Sequence, residues 1–324
     1  MKAAVYRTYG PPEVLRLEEI PTPALSEAHA DRVLVRVRYS SINPLDHIQR
    51  GGFFGVRPSA GLLKPKPAEQ TTGADLAGEV VAIGGGVSRF KVGDRVFGNA
   101  WGSHAEYVLA REQRLTLLPP GLSFKAAAAL PVAALTALQA LRDVAGIQPG
   151  HKVLINGASG GVGHFAVQLA KHFGAEVTAV CSSANQGWVR ALGADHMVDY
   201  SSKDFTKSTK RYDIIYDTVG KRTYWSCRPL LTPGGVFVGE NPFKARFQLL
   251  QLAWAMLTRD KQLRAHLTTS NAKDLGLLAE LAGAGRLEAM VERVYPLEQI
   301  VQAHRHGETG RTKGKLVIEV SAER

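Results

Sequence analysis

A chain of 324 residues, 45% hydrophobic and 21% charged, is long enough for two separately cored domains and has the balance of a soluble globular protein. Its two cysteines, Cys181 and Cys227, are too few for a four-thiolate metal knuckle or a secreted disulfide scaffold. The formal charge of +11 suits anionic small molecules, acidic membranes and nucleic acid alike, so it excludes none of them.

The N-terminal segment Met1-Lys2-Ala3-Ala4-Val5-Tyr6 has no apolar leader. No stretch reaches the ~20 apolar residues of a spanning helix, and a cytoplasmic location is the expectation. The N-terminal third reads as β-rich. Val33 to Tyr39 alternates apolar with charged residues in its second half, as a half-exposed strand does. Glu79 to Gly84 and Asp94 to Gly98 are further short strands, separated by the turn-prone Gly84-Gly85-Gly86 and Lys91-Val92-Gly93.

At Ser123 the texture changes. Lys125 to Leu141 is rich in alanine and leucine and is predicted as one helix, with Asp143 to Gly150 after it. β-rich runs at 152–156, 176–181, 197–200, 213–217 and 235–239 then alternate with helical segments, which predicts a parallel sheet covered on both faces. A helix from Asn271 to Ala284 and a terminal strand from Lys315 to Val320 return to another pattern. The expected organisation is a discontinuous domain, 1–122 with 271–324, into which a doubly wound domain, 123–270, is inserted.

Between the first two of those runs lies Gly157-Ala158-Ser159-Gly160-Gly161-Val162-Gly163, followed by the helical His164 to Lys171 and a stop at Gly174. This strand–turn–helix–strand unit has the make-up of a dinucleotide site: glycines bring backbone close to a pyrophosphate, and free amides at a helix N-terminus hold its charge. The tip of the second strand chooses between nicotinamide cofactors, because an acid there binds a ribose 2′-hydroxyl and repels a 2′-phosphate. Here the tip is Cys181-Ser182-Ser183-Ala184-Asn185, and the next acid along the chain is Asp195. The reading leans to NADPH, with no Lys or Arg in 181–186 to strengthen it.

Short motifs spread along nearly the whole chain then resemble those of the medium-chain dehydrogenase/reductase superfamily, in its zinc-free, zeta-crystallin-like quinone oxidoreductase branch. They include Ser41-Ile42-Asn43-Pro44-Leu45-Asp46, Gly73-Ala74-Asp75-Leu76-Ala77-Gly78, Phe90 to Val96, Ala105-Glu106-Tyr107-Val108, Leu130-Pro131-Val132-Ala133, Asp217-Thr218-Val219-Gly220 and Lys313-Gly314-Lys315-Leu316-Val317. The resemblance implies an α/β fold, with a doubly wound Rossmann domain inserted in a β-rich GroES-like domain. In the zinc enzymes of that family a Cys stands where this chain has Asn43, and a His-Glu pair where it has Ala74-Asp75. The four-cysteine lobe is also missing, and no metal is expected. Such an enzyme is suited to an acceptor that is already electrophilic. The implied activity is hydride transfer from NADPH to a quinone or an α,β-unsaturated carbonyl in an interdomain cleft.

By the same resemblance Asn43 is the catalytic-site residue near the nicotinamide ribose, with Thr136 in the same region. Gly157, Gly160, Gly161 and Val162 cradle the pyrophosphate. Ser182, Ser183, Asn185 and Tyr200 surround the adenosine 2′-phosphate, although the family often has a basic residue at the position of Asn185. Thr218, Val219, Gly239 and Asn241 line the nicotinamide half, and Lys315 is a further contact from the C-terminal strand. A homodimer is the family expectation.

Other polar residues read more plainly. Asp46 is expected to stabilise a helix start, His47 and His104 to be surface or packed residues rather than proton donors, Tyr107 to pack, and Cys181 to be an inert core thiol. Residues 243–266 interleave Phe247, Leu249, Leu250, Leu252, Trp254, Met256 and Leu257 with Lys244, Arg246, Arg259, Lys261 and Arg264. They read as a basic amphipathic helix, either the wall of a pocket or a weak peripheral contact with an anionic membrane. The alternatives to the oxidoreductase are an NADPH-binding protein with a structural or RNA-associated role and an alcohol or aldehyde reductase. With no aromatic-plus-basic recognition motif, nucleic acid is the less favoured partner.

Overall fold

A computed structural model describes residues 1–53, 61–66, 70–240, 254 and 262–322. The chain divides into two compact units, Met1–Leu135 with Ser270–Arg324, and Thr136–Thr269.

The first unit opens with the hairpin β1 (Lys2–Val5) and β2 (Arg16–Glu19). The long strand β3 (Arg32–Ser41) buries Val33, Val35 and Val37 completely, which is the alternation of its sequence turned into one core face. It runs into α1 (Pro44–Gly51), where Pro44 supplies the fixed φ of a first helical position and Gly52, at φ 64°, ends the helix in the left-handed region. Next come β4 (Asp75–Ile83), β5 (Arg95–Asn99), β6 (Tyr107–Arg111), β7 (Leu115–Leu117) and the short α2 (Phe124–Ala128).

The single alanine-rich helix predicted for Lys125 to Leu141 is two helices. Ser123 caps α2 by accepting from the Ala126 amide at 3.2 Å, and Pro131 starts α3 (Pro131–Gln139), because a proline cannot donate the bond that would continue a helix through it. A π-helical turn, Ala140–Val144, follows. The division between units falls within α3, and α2 packs on β3 and β4 of the first unit.

Among the described residues the second unit holds a six-stranded sheet with every pairing parallel: β8 (Lys152–Asn156), β9 (Glu176–Cys181), β10 (His196–Asp199), β11 (Tyr212–Asp217), β12 (Leu231–Gly239) and β13 (Leu263–Ala265). Their order across the sheet is β10-β9-β8-β11-β12-β13. Strand order therefore reverses between β8 and β11, the place where doubly wound sheets take ligands. Val153, Leu154 and Ile155 are each 0% exposed, as expected of a strand covered on both faces. The helices α4 (Gly163–His172), α5 (Gln186–Ala191) and α6 (Tyr224–Cys227) belong to this unit.

Within the stretch predicted as a basic amphipathic helix, 263–265 is the extended edge strand β13, paired with β12 through Phe237↔Leu263. The sheet edge offers ladder hydrogen bonds that override local helical preference. Arg264 donates to the Val144 carbonyl, so one of the five predicted basic residues has an internal partner. Trp254 packs against Tyr224 and Trp225; residues 243–253 and 255–261 lie outside the described residues. Among the described residues no helix is long and apolar enough to cross a membrane.

The chain then returns to the first unit through α7 (Ala272–Gly283), capped by Asn271 accepting from the Asp274 amide at 2.8 Å, then β14 (Val291–Pro296), α8 (Ile300–Glu308) and β15 (Lys315–Glu319). β15 pairs antiparallel with β3, which completes the sheet order β14-β15-β3-β4-β5-β7 with β6 on the other reach of β3. Register lines up Val317↔Ser41, Ser41↔Asp75 and Asp75↔Asn99. One row across four strands thus carries three polar side chains.

Candidate functional site

In the second unit the predicted residues collect where the parallel strands end. Gly157 leaves β8 at φ 82°, and a Cβ there would lie 2.6 Å from Thr218 Oγ1 and from Val219 Cγ2. At Gly163 a Cβ would lie 2.1 Å from the Gly157 carbonyl oxygen. Both positions need glycine, one for its backbone angle and one for a backbone passing against a helix start. Thr218 Oγ1 donates to the Asn156 carbonyl at 2.8 Å, which joins the ends of β8 and β11.

Ahead of α4, the amides of Gly161 and Val162 have no acceptor among the described residues, whereas the His164 amide in the first helical turn donates to the Gly160 carbonyl at 3.2 Å. His164, fully buried, donates from Nδ1 to the Gly160 carbonyl at 2.9 Å and holds the loop to the helix. These unpartnered donors at a helix start fit a pyrophosphate.

The β9 tip lies beside β10. Asn185 Nδ2 donates to Ser182 Oγ at 3.2 Å while its Oδ1 accepts from Trp188 Nε1 at 3.2 Å, so that amide is already oriented within the chain. Tyr200, 59% exposed, follows β10 and donates its amide to the Cys181 carbonyl at 3.2 Å. Gly239 ends β12 opposite Asp217, and Asn241 lies outside the described residues. Thr136 is buried on α3 with its hydroxyl 2.8 Å from that of Thr268.

In the first unit the polar row becomes a closed network centred on Asp75, which is fully buried. Its Oδ2 accepts from Ser41 Oγ at 2.6 Å, Asn43 Nδ2 at 2.8 Å and Lys315 Nζ at 3.4 Å. Its Oδ1 accepts from Asn99 Nδ2 at 3.1 Å and from the Val132 amide at 2.8 Å, in the first turn of α3. Ser270 in turn donates to Asn99 Oδ1 at 2.7 Å. Lys315, 3% exposed, also donates to Asn43 Oδ1 at 2.6 Å and to the Ile42 carbonyl at 3.2 Å. An ammonium has three hydrogens, and here each has an acceptor. Lys315 is thus a support beneath Asn43 rather than a free cation.

Asn43 is the N-cap residue of α1. It precedes Pro44, and its backbone amide donates to Asp46 Oδ2 at 2.7 Å, which puts Asp46 at a helix start as expected. Burial, with the nearby Asp75 charge adding to it, pushes the Asp46 carboxyl up to about 7 against the pull of the Asn43 amide and Lys315. His104 is fully buried: Thr72 Oγ1 donates to its Nδ1 at 2.9 Å and its Nε2 donates to the Ser41 carbonyl at 3.3 Å, which assigns the neutral Nε2–H form. Burial holds it down at about 4. Burial likewise holds His304 well below the ordinary histidine range, with Arg50 donating to its Nδ1 at 2.8 Å. Tyr107 accepts from Arg36 Nε at 3.2 Å, and the buried Cys181 thiol is pushed up to about 11.

These residues do not fit zinc. Asn43 and Ala74 offer neither thiolate nor imidazole, and the Asp75 carboxylate is already engaged by five donors. Among the described residues no three His, Cys, Asp or Glu side chains group as metal ligands. What the sequence did not single out is Asp75 as a hub, together with Ser41 and Asn99. The available signal was a lone acid opening the otherwise apolar Asp75-Leu76-Ala77 strand.

Residues 29–120 match the alcohol dehydrogenase GroES-like domain, and residues 192–318 match the zinc-binding dehydrogenase family. The chain is 34% identical to a chloroplastic quinone-oxidoreductase homologue of Spinacia oleracea, over 98% of each protein. The chain belongs to the medium-chain dehydrogenase/reductase family, in its zinc-free quinone oxidoreductase branch. It is 33% identical to a 2-methylene-furan-3-one reductase of Solanum lycopersicum, over 98% of this chain and 79% of that one. The solved quinone oxidoreductase of Coxiella burnetii superposes with a TM-score of 0.87 at 32% identity, covering 99% of both chains. As a member of this family the chain is an oxidoreductase that uses a nicotinamide cofactor. Its second unit is the family's Rossmann fold and its first the GroES-like fold.

Proposed function

We propose that this quinone oxidoreductase relative transfers hydride from NADPH to a quinone or an α,β-unsaturated carbonyl. One observation carries the choice of acceptor: Asn43 and Ala74-Asp75 stand at the positions that hold zinc ligands elsewhere in the family, and Asn43 and Asp75 are internally paired with each other and with Lys315. With no Lewis acid built from those positions, the acceptor has to bring its own electrophilicity. The names of the spinach and tomato relatives, one a quinone oxidoreductase homologue and one an enone reductase, support both acceptor classes.

Gly157, Gly160, Gly161 and Val162 would hold the pyrophosphate, Ser182, Ser183, Asn185 and Tyr200 the adenosine end, and Thr218, Val219 and Gly239 the nicotinamide half. Bound there, the dinucleotide supplies the hydride. The protein contributes orientation. Lys315 fixes the Asn43 oxygen and Asp75 takes one of its amide hydrogens, leaving a single N–H donor that suits an oxygen acceptor on a ligand.

Purified protein with NADPH should reduce a panel of quinones and enones, and a strong chelator should leave the rate unchanged. Loss of activity on chelation with recovery on added zinc would overturn the reading. NADPH should bind more tightly than NADH by a modest factor.

A further inference from the structure

Along the sequence the β9 tip lacks an acid, and the next one, Asp195, is engaged elsewhere: it pairs with Lys171 at 2.8 Å and accepts from the Val177 amide at 2.7 Å. In space the acid is Asp199. Parallel pairing of β10 with β9 sets Asp199 opposite Cys181, level with the start of Ser182-Ser183. Its Oδ1 accepts from the Ser201 amide at 2.9 Å and from Ser201 Oγ at 2.6 Å. The Ser201 hydroxyl and amide, together with the Ser183 amide, hold the carboxyl below its ordinary range, so it is a carboxylate throughout the neutral region. Among the described residues no Lys or Arg pairs with it.

The surrounding donors are few. Ser183 directs its amide at the Asp199 carboxyl, and Asn185 is engaged by Ser182 and Trp188. The hydroxyls of Ser182, Ser183 and Tyr200 remain, and none carries charge. A 2′-phosphate at this tip would meet hydroxyl donors and one fixed negative charge, whereas a 2′-hydroxyl would meet the acceptor that second-strand acids normally provide.

We propose that Asp199 is a specificity-determining residue of the adenosine site, reaching across from the third strand to replace the missing second-strand acid and limiting the preference for a 2′-phosphorylated dinucleotide. The proposal rests on the nicotinamide-dinucleotide reading of the second unit. A doubly charged phosphate ~6 Å from a carboxylate in water-like surroundings corresponds to about tenfold in affinity.

The test uses full-length protein and titrates NADPH, NADH, 2′,5′-ADP and 5′-AMP into wild type, Asp199→Asn and Asp199→Ser. Asn keeps an oxygen for Ser201, and Ser is a second, smaller replacement should Asn disturb the loop. Each variant should tighten NADPH and 2′,5′-ADP by about tenfold, and NADH and 5′-AMP, which lose the charged acceptor for the 2′-hydroxyl, should bind no tighter than to wild type. The gain should shrink as salt is raised, since it comes from removing a screened repulsion. If both variants keep the wild-type NADPH-to-NADH ratio, Asp199 has no such role although the dinucleotide site stands. If wild type binds neither dinucleotide, the site reading and the proposal fall together.

Discussion

The Asp75–Lys315 pair invites a double-mutant test, because its two members meet different losses when separated. Asp75 is 0% and Lys315 3% exposed, with 3.4 Å between Oδ2 and Nζ. At an effective dielectric constant of 20, that spacing is worth ~5 kcal/mol of attraction, most of it offsetting the cost of burying two charges. In Asp75→Asn, Lys315 keeps only the Asn43 and Ile42 oxygens, and an uncompensated ammonium stays in the core. Loss of ~3–5 kcal/mol is expected. In Lys315→Met, the carboxylate retains Ser41, Asn43, Asn99 and the Val132 amide, so the loss should be smaller, ~2–3 kcal/mol. The double variant should recover ~2 kcal/mol or more relative to the sum of the singles. Urea unfolding followed by circular dichroism measures the cycle. The reasoning fails if Asp75→Asn costs under ~1 kcal/mol, or if the two effects add within ~0.5 kcal/mol.

Gly163→Ala should weaken NADPH at least ~10-fold and cost ~1–3 kcal/mol, since its Cβ would stand 2.1 Å from the Gly157 carbonyl and force the loop to move. Gly160→Ala, with 3.3 Å to the same oxygen, should be milder in the same titration, and equal effects would argue against the cradle. For pH dependence the sign differs between two buried groups. His104, depressed to about 4, contributes stability present above 6.5 and lost as pH falls towards 4. Asp46, raised to about 7, contributes stability present below 3.8 and lost as pH rises towards 7. The two oppose each other between pH 4 and 6.5. Asp46→Asn should therefore show a steeper gain in stability than wild type over that window, by up to ~3 kcal/mol, in thermal or urea unfolding. Parallel pH profiles for variant and wild type would count against the buried, protonated Asp46.

The sequence by itself determined the features that depend on near neighbours. The apolar runs at 152–156 and 176–181 are the strands β8 and β9 to the residue, because a strand buried on both faces must be continuously apolar. The glycine spacing before α4, Asn271 as a cap and the valine alternation of β3 are local for the same reason. The lost zinc ligands were also legible, since identity at Asn43 and Ala74 is enough to remove donors. Pro131 marked the interruption of the alanine-rich helix, and reading composition alone passed over it. Only the tertiary structure decided what the remaining polar residues do. Lys315 meets Asn43 across 272 positions of chain and Asp75 across 240, through the pairing of β15 with β3 and of β3 with β4. Asp199 comes level with the β9 tip through the pairing of β10 with β9, and 263–265 became a strand because β12 presented an open edge. Each of these turns on strand register, which is set by packing across the whole sheet, so no window of neighbouring residues contains it.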